Sequence, residues 1–412
     1  MPWLVGNPSE RYPFYPMFDK TIVIVTPWFG NFAGGAESLA RGMARELNRR
    51  GVGTIVFTTC CLSPYDNWWE DHHAPGVYDV DGIEVRRFAT DKAADRYHLM
   101  IKKLQQGTKL TVREEQDFFE YGINSSALIK ALAKVLNRGH DVLALPYIHG
   151  LTYSAIRKYP GKISVIPCFH DELQFYWRAT EDLLRDAKQI FYNSPEEKEM
   201  TIRHYGRSVG RKVVEGRVTG VGIELSINPE CGSPPEQLPE SYFVYAGRKD
   251  HGKNVPLLCE WFANYSEHSQ NQSKLVFLGG GDKSIVPSAD CFRDLGFVSE
   301  ALKREVIKGS KGIINLSRNE SFSIVIMEGW LLGVPALVAE QCAVMKGHVK
   351  RSNGGLFVEN QEEFSTALNY LETRAPVRKQ LAENGRRYVA RNFSFDRVLA
   401  AYLEQLSAGN AI

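Results

Sequence analysis

The sequence has almost no excess of either charge. It holds 50 Lys and Arg against 48 Asp and Glu, a formal net charge of +2 at pH 7. That argues against a protein built to wrap a polyanion, which would carry a basic surplus or stripe; a local basic site for one small anion remains open. No uninterrupted apolar run approaches the roughly 18 residues a membrane span needs, so nothing is expected to cross a bilayer. The opening residues, MPWLVGNPSERYPFYPMFDK, lack a basic segment followed by an apolar one, so no secretory signal is expected. Their Pro and aromatic content suggests an arm (1–20) packed on the chain's own surface, with a membrane-touching arm as the alternative. The 7 cysteines are scattered and include no C-x-x-C pair, which fits free thiols in a reducing cytosol. A dinucleotide fingerprint is also missing. The glycines Gly30, Gly34 and Gly35 break the G-x-G-x-x-G spacing, and the second strand ends Thr58-Thr59-Cys60 with no acid for a ribose.

What is present is ordinary globular material: 43 % apolar and 24 % charged residues over 412 positions, enough for two or three domains. The pattern is alternating α/β. A strand at 21–26 is followed by a glycine loop, a helix at 36–50 with Leu39, Met43 and Leu47 on one face, and a strand at 54–59. The segment 91–138 reads as mostly helical, and short apolar runs follow at 142–145, 164–167 and 189–192. Four prolines within 228–239 cannot extend a helix or central strand, so this stretch is expected as a linker. Alternation then restarts, with strands at 242–247, 274–278, 312–316 and 336–339, and helices at 255–265, 301–309, 323–332 and 362–371. The tail 377–406 reads as helical, with a break near 392–394.

Several loops at strand ends carry candidate chemistry. Gly247-Arg248 and Lys253 lie on one strand-to-helix loop, where Arg with its fork and Lys as a point charge could clamp a diphosphate; taken alone, such a loop is more often plain surface. Glu320 and Glu328 frame NESFSIVIME. Ser321, Phe322 and Ser323 open the helix there, and a helix start offers unpaired N–H groups and the positive end of the macrodipole to an anion. Glu328 lies in an apolar run, where an acid needs a partner or a ligand hydroxyl; the plainer alternative is a solvated helix residue. The Gly279–Gly281 run allows a close approach by ligand or backbone. His170 follows a strand and would face a ligand at the sheet's C-terminal edge, or be a core histidine. Three signals are discounted. Asp79-Val80-Asp81 precedes Gly82 and a strand, which reads as a turn. His72-His73 lacks the spacing of a zinc site. Arg49-Arg50 and Arg386-Arg387 read as ordinary cations on helix faces.

Taken in order, the motifs GGAE (34–37), HD (170–171), NS (193–194), VTGVGIE (218–224), GRKDHGKN (247–254), LGGG (278–281), GFV (296–298), E-x7-E (Glu320, Glu328) and GVP (333–335) resemble glycosyltransferase family 4. These are retaining nucleotide-sugar transferases with the GT-B fold, two Rossmann-like domains facing a central cleft. The first half, with TTC, YDNWW and VRRF, is similar to a subgroup from bacterial surface-polysaccharide clusters. The resemblance implies an acceptor-side domain at 21–227, joined by a returning helix at 395–412, and a donor domain at 228–394. It implies that Arg248 and Lys253 hold the diphosphate, that Glu320 and His170 lie at the transferred sugar, and that Glu328 binds ribose. It also places Phe297 and Val298 by the base, backbone N–H donors at Ser321, Phe322 and Ser323, and Gly34 and Gly35 near the diphosphate. One departure stands out. Where many members carry Gly-Gly and an acid after the GVP strand, this chain has AEQCAVMKGHVKRSNGG, so the sugar contacts assigned there in relatives do not transfer.

The expected function is therefore a retaining, metal-independent glycosyltransferase with no cofactor beyond its substrate, a GDP- or UDP-linked sugar. GDP-mannose is favoured as donor. A growing, lipid-linked glycan is the expected acceptor, and the cytoplasmic face of a membrane the expected location. The rivals are a GT-B epimerase or hydrolase, and a non-catalytic subunit that binds nucleotide sugar.

Overall fold

The structure is a computed structural model that describes residues 18–32, 34–226, 238–269 and 273–408. The expected arm lies outside the described residues up to residue 17, and the expected linker lies outside them up to residue 237. The chain forms two compact units. One takes the described residues up to Gly222 and regains the chain from Phe395; the other is built from Ile223–Ser394.

In the first unit, β1 (Ile22–Val25), β2 (Thr54–Thr59), β3 (Gly76–Val80), β4 (Ile83–Phe88), β5 (Asp141–Ala144) and β6 (Ile163–Val165) make one sheet in the order β3-β4-β2-β1-β5-β6. It is parallel except for β3, which is antiparallel to β4. Every residue of β1 is buried, as expected for a strand covered by helices on both faces. The helix Gly35–Arg49 buries Leu39, Met43 and Leu47. The region 91–138 is not one helix but three, Ala94–Gln105, Val112–Tyr121 and Ser126–Asn137. The breaks are chemical: Thr111 forms a reciprocal capping box with Glu114, and Ser125 caps the third helix through the Leu128 N–H. Two short strands, β7 (Phe191–Tyr192) and β8 (Arg217–Val218), pair in parallel.

The last helix, Phe395–Ala408, belongs to this unit. Its Tyr402 packs on Phe191 at 4.7 Å, and its Asp396 accepts the Arg50 Nε–H at 3.0 Å. Arg50 also bonds the Glu46 carbonyl at 3.1 Å and is only 2 % exposed. It is therefore not the ordinary helix-face cation expected from the sequence. The Asp79–Gly82 segment is a hairpin turn, with φ of 55° at Asp81 and 77° at Gly82, and the Asp79 carboxylate accepts the Gly82 N–H at 3.0 Å.

The second unit has β9 (Tyr242–Ala246), β10 (Lys274–Leu278), β11 (Phe292–Asp294), β12 (Ile313–Asn315), β13 (Ala336–Ala339) and β14 (Gly355–Val358). These form one parallel sheet in the order β11-β10-β9-β12-β13-β14. Its core is built on Phe243, Phe262, Phe277 and Leu337. The helix Ala343–Ser352 was not expected. Its buried face includes His348 and Ser352 beside Val344, Met345 and Val349, and polar residues in the buried stripe hide the helical period. β3, β11 and β14 also went unexpected; β3 is an exposed edge strand with no apolar alternation.

Among the parallel strands of each sheet the order reverses once: at β1 in the first, with β2 on one side and β5 on the other, and at β9 in the second, with β10 and β12. In open parallel sheets, ligands bind beyond the C-terminal ends of the strands at such reversals.

Candidate functional site

In the second unit the loops after β9 and β12 meet at the reversal. Asn254, held at φ 57°, donates its side-chain amide to the Leu316 carbonyl at 3.1 Å, tying the two loops together. The Asp250 carboxylate shapes the β9 loop by accepting the Lys253 N–H at 2.7 Å, and its other oxygen pairs with Arg248. Across the reversal, Lys253 Nζ lies 2.8 Å from Glu320 Oε1, with the two side chains 25 % and 13 % exposed. Asn315 donates to the same carboxylate oxygen at 3.4 Å. The structure thus joins two of the sequence candidates, Lys253 and Glu320, in one half-buried ion pair.

The glycine run after β10 accommodates backbone. Gly279 has φ 118°, and a Cβ there would lie 2.3 Å from the Gly247 carbonyl oxygen; Gly281 has φ 120°, and its Cβ would lie 2.4 Å from the Lys249 carbonyl oxygen. Lys249, between Arg248 and Asp250, is no part of an exposed clamp. It is buried and paired with Asp294 at 2.6 Å.

The helix Ile324–Leu331 begins one residue later than expected. Ser323 sits at its N-cap with φ 70° and provides no side-chain cap. A non-glycine residue held there is strained by about 1–3 kcal/mol and marks functional sites more often than others. Its Oγ is buried without a hydrogen-bond partner among the described residues. The Ile326 N–H turns back onto the Ser323 carbonyl at 3.2 Å; ahead of it, the first N–H groups of a helix lack an i−4 acceptor and suit an anion. Phe322 contributes backbone only, because its ring is buried against His348 at 5.0 Å and Phe393 at 4.8 Å. Burial pushes the His348 imidazole down to about 3, so it is neutral at physiological pH.

Glu328 has a partner that sequence reasoning missed. Lys303 Nζ lies 3.2 Å from its carboxylate and 2.7 Å from that of Glu300. Burial works against the charge on Lys303, yet Glu328 and Glu300 outweigh it and hold its pKa above the ordinary lysine value. Phe297 is 69 % exposed on the loop after β11, and Val298 beside it is half-buried. The Gly296 carbonyl that precedes them accepts the Gly279 N–H at 2.7 Å, joining the β10 and β11 loops.

In the first unit, Gly34 is the N-cap of the helix after β1 and Gly35 its first residue, again without a side-chain cap. A Cβ at Gly35 would meet nothing within 4 Å, but one at Gly34 would lie 1.9 Å from Glu37 Oε2, so the helix's own carboxylate stands against the N-cap. His170 follows β6 and is 31 % exposed, with Glu172 Oε1 3.8 Å from its Nδ1. Cys168 nearby is held at φ 56°. At the reversal itself lies an aromatic group that sequence reasoning did not assign. Trp28 packs edge-on against His149 at 4.7 Å and lies 5.4 Å from Trp68, and Trp68 lies 5.6 Å from His149. The adjacent Trp68-Trp69 in the loop after β2 was its only trace in the sequence. Among the described residues no group of three or more His, Cys, Asp or Glu could hold a metal ion, and no helix is long and apolar enough to cross a membrane.

Residues 232–388 match the family model "Glycosyl transferases group 1". No curated protein matches the chain. Solved structures match it along nearly its whole length. Sucrose-phosphate synthase from Thermosynechococcus elongatus aligns with TM-score 0.64 and 16 % identity, over 95 % of this chain and 100 % of that one. The E. coli trehalose-6-phosphate enzyme bound with UDP-2-fluoro glucose gives 0.70 and 11 %, over 95 % and 99 %. WaaG, a glycosyltransferase involved in lipopolysaccharide biosynthesis, gives 0.62 and 12 %, over 95 % and 100 %. At these identities the likeness is one of fold. The fold is therefore that of GT-B proteins, and with the glycosyl transferases group 1 match over 232–388 it supports a GT-B glycosyltransferase.

Proposed function

We propose that the chain is a retaining glycosyltransferase that moves a sugar from a nucleotide-sugar donor to a glycan acceptor without a bound metal. The observation that carries this reading is the Lys253–Glu320 pair at the strand reversal of the second sheet, inside the region matching the glycosyl transferases group 1 model. Departure of a nucleoside diphosphate builds negative charge, and Lys253, Arg248 and the uncapped start of the helix at Ser321–Ser323 stabilise it before it forms. Glu320 offsets the positive character of the sugar as its bond to the diphosphate lengthens. Glu328 accepts the ribose hydroxyls, exchanging its contact with Lys303 for them, and Phe297 and Val298 cover the base. The second unit is the donor side. The first, with Gly34, Gly35 and His170, is the acceptor side.

GDP-mannose is the favoured donor and a UDP-sugar the next. The UDP-2-fluoro glucose in the E. coli relative supports a nucleotide sugar in this fold, and the lipopolysaccharide role of WaaG supports a lipid-linked acceptor in surface-polysaccharide synthesis. Such an acceptor places the enzyme in the cytoplasm, against the inner face of the membrane. Thermal-shift measurements with GDP, UDP, ADP and dTDP test the donor side, since a ligand that binds only the folded state raises the melting temperature. A shift with one of them and none with the free base is expected. No shift with any diphosphate overturns the reading.

A further inference from the structure

The loop after β6 holds more chemistry than His170 alone. Glu172 Oε1 accepts the Tyr147 hydroxyl at 2.8 Å and lies 3.8 Å from His170 Nδ1. The Glu172 N–H closes a turn on the His170 carbonyl at 2.9 Å, which fixes the two side chains on one short segment. Tyr147 is 1 % exposed and comes from the loop after β5, where its own N–H bonds the Pro167 carbonyl at 3.0 Å. Its ring packs on Phe169 at 4.6 Å. The backbone between these contacts is held in turn. Cys168 sits at φ 56°, the next N–H, of Phe169, donates to the buried Glu197 carboxyl group at 2.6 Å, and the Asn193 N–H donates to its other oxygen, also at 2.6 Å. A strained residue bracketed this closely marks a position that its surroundings over-determine.

The geometry points to Glu172 as a positioning residue for His170: its Oε1, held by the Tyr147 hydroxyl and at 3.8 Å too far from Nδ1 for a hydrogen bond, favours the imidazole proton on Nδ1 through its charge and leaves Nε2 as the nitrogen that meets the ligand. A neutral imidazole has one donor and one acceptor nitrogen, and a carboxylate beside one of them selects the tautomer. Tyr147 bonds that same oxygen, so the charge facing the imidazole keeps a fixed position rather than a rotating one. The proposal rests on reading His170 as a residue of the acceptor-side site. The carboxylate of its chain neighbour, Asp171, is engaged by the Tyr176 hydroxyl at 2.6 Å.

The test uses the full chain and two independent readouts. The first is the ring-nitrogen NMR signature of His170, assigned by comparison with His170→Gln. In the wild type the proton is expected on Nδ1, in Glu172→Gln an increased share on Nε2, and in Tyr147→Phe an intermediate distribution. An unchanged tautomer in Glu172→Gln overturns the proposal whatever the enzyme does. The second is steady-state transfer with the donor identified by thermal shift. Glu172→Gln is expected to lose tenfold to a hundredfold in kcat, the range typical of lost orienting partners, with donor KM within twofold. His170→Gln combined with Glu172→Gln should be no slower than His170→Gln alone, because the two act as one unit. Additive losses, or a Glu172→Gln enzyme as fast as wild type beside an impaired His170→Gln, refute the positioning role. Full activity in His170→Gln with an intact Nδ1 tautomer instead refutes the catalytic reading of His170 and leaves the orienting contact established.

Discussion

Replacing Lys253 by Met keeps the aliphatic stem and removes the charge, and the structure sets the size of the two consequences. For folding, the Lys253–Glu320 pair is 2.8 Å long with its side chains 25 % and 13 % exposed. A pair that water still reaches contributes on the order of 1 kcal/mol or less, so the melting temperature should fall by only a few degrees. For binding, the loss is one charge-assisted hydrogen bond to the ligand's phosphate, about 1.5–3 kcal/mol, which is roughly a 10- to 150-fold rise in Kd. Glu320, left without its lysine partner, adds repulsion in the same direction. The partner variant separates this account from simple disruption of the site. Glu320→Gln frees Lys253 from its competing carboxylate, so nucleoside diphosphate affinity should hold or rise while transfer is lost. Titration calorimetry of UDP and GDP at fixed ionic strength measures both. Weakening by both variants alike, or Lys253→Met binding within twofold of wild type, refutes the idea that Lys253 is a phosphate ligand held in reserve by Glu320.

Other consequences are local. Gly281→Ala puts a Cβ 2.4 Å from the Lys249 carbonyl oxygen at a φ of 120°, and should destabilise by about 2–4 kcal/mol. Gly280→Ala, which meets nothing within 4 Å, should be nearly neutral, and paired thermal melts compare the two. Burial pushes the Glu197 carboxyl up to about 8 against the backbone N–H groups of Phe169, Asn193 and Ser194 that pull it down. The folded chain therefore keeps a proton that the unfolded chain releases from about 4.5 upward, and stability falls as pH rises through that window to 8, by up to roughly 5 kcal/mol. Glu197→Gln should flatten this limb in melts from pH 5 to 8.5. His348, pushed down to about 3 by burial, has the opposite sign. The unfolded chain binds its proton first, so its share of stability is lost as pH falls from 6.5 towards 3, and His348→Gln should shrink that acid loss.

Much of the architecture is legible because the strands are buried on both faces. IVIV at β1 and YFVYA at β9 read as strands for that reason, and their neighbouring loops carry the glycines and charges. The site was legible where its signal is a short string. Lys253 and Glu320 could be named from the sequence, although their 2.8 Å contact could not, because it depends on β12 lying next to β9 rather than next to β11. Lys303 was missed because it looks like any helix-surface lysine until Glu328 is seen beside it. Tyr147 and Glu172 are separated by a helix and a strand, so no local pattern pairs them. Arg50 was misread because its partner Asp396 is 346 residues away.

The central claim is that the chain breaks the bond between a sugar and a nucleoside diphosphate and delivers the sugar to a glycan. The most direct measurement is nucleoside diphosphate release from GDP-mannose and from UDP-sugars, with and without a lipid-linked saccharide acceptor, for the wild type and for Glu320→Gln of matched melting temperature. The account predicts acceptor-dependent release by the wild type with one donor and loss of it in the variant. Release or conversion of the nucleotide sugar without acceptor, or equal rates for wild type and Glu320→Gln, would contradict it.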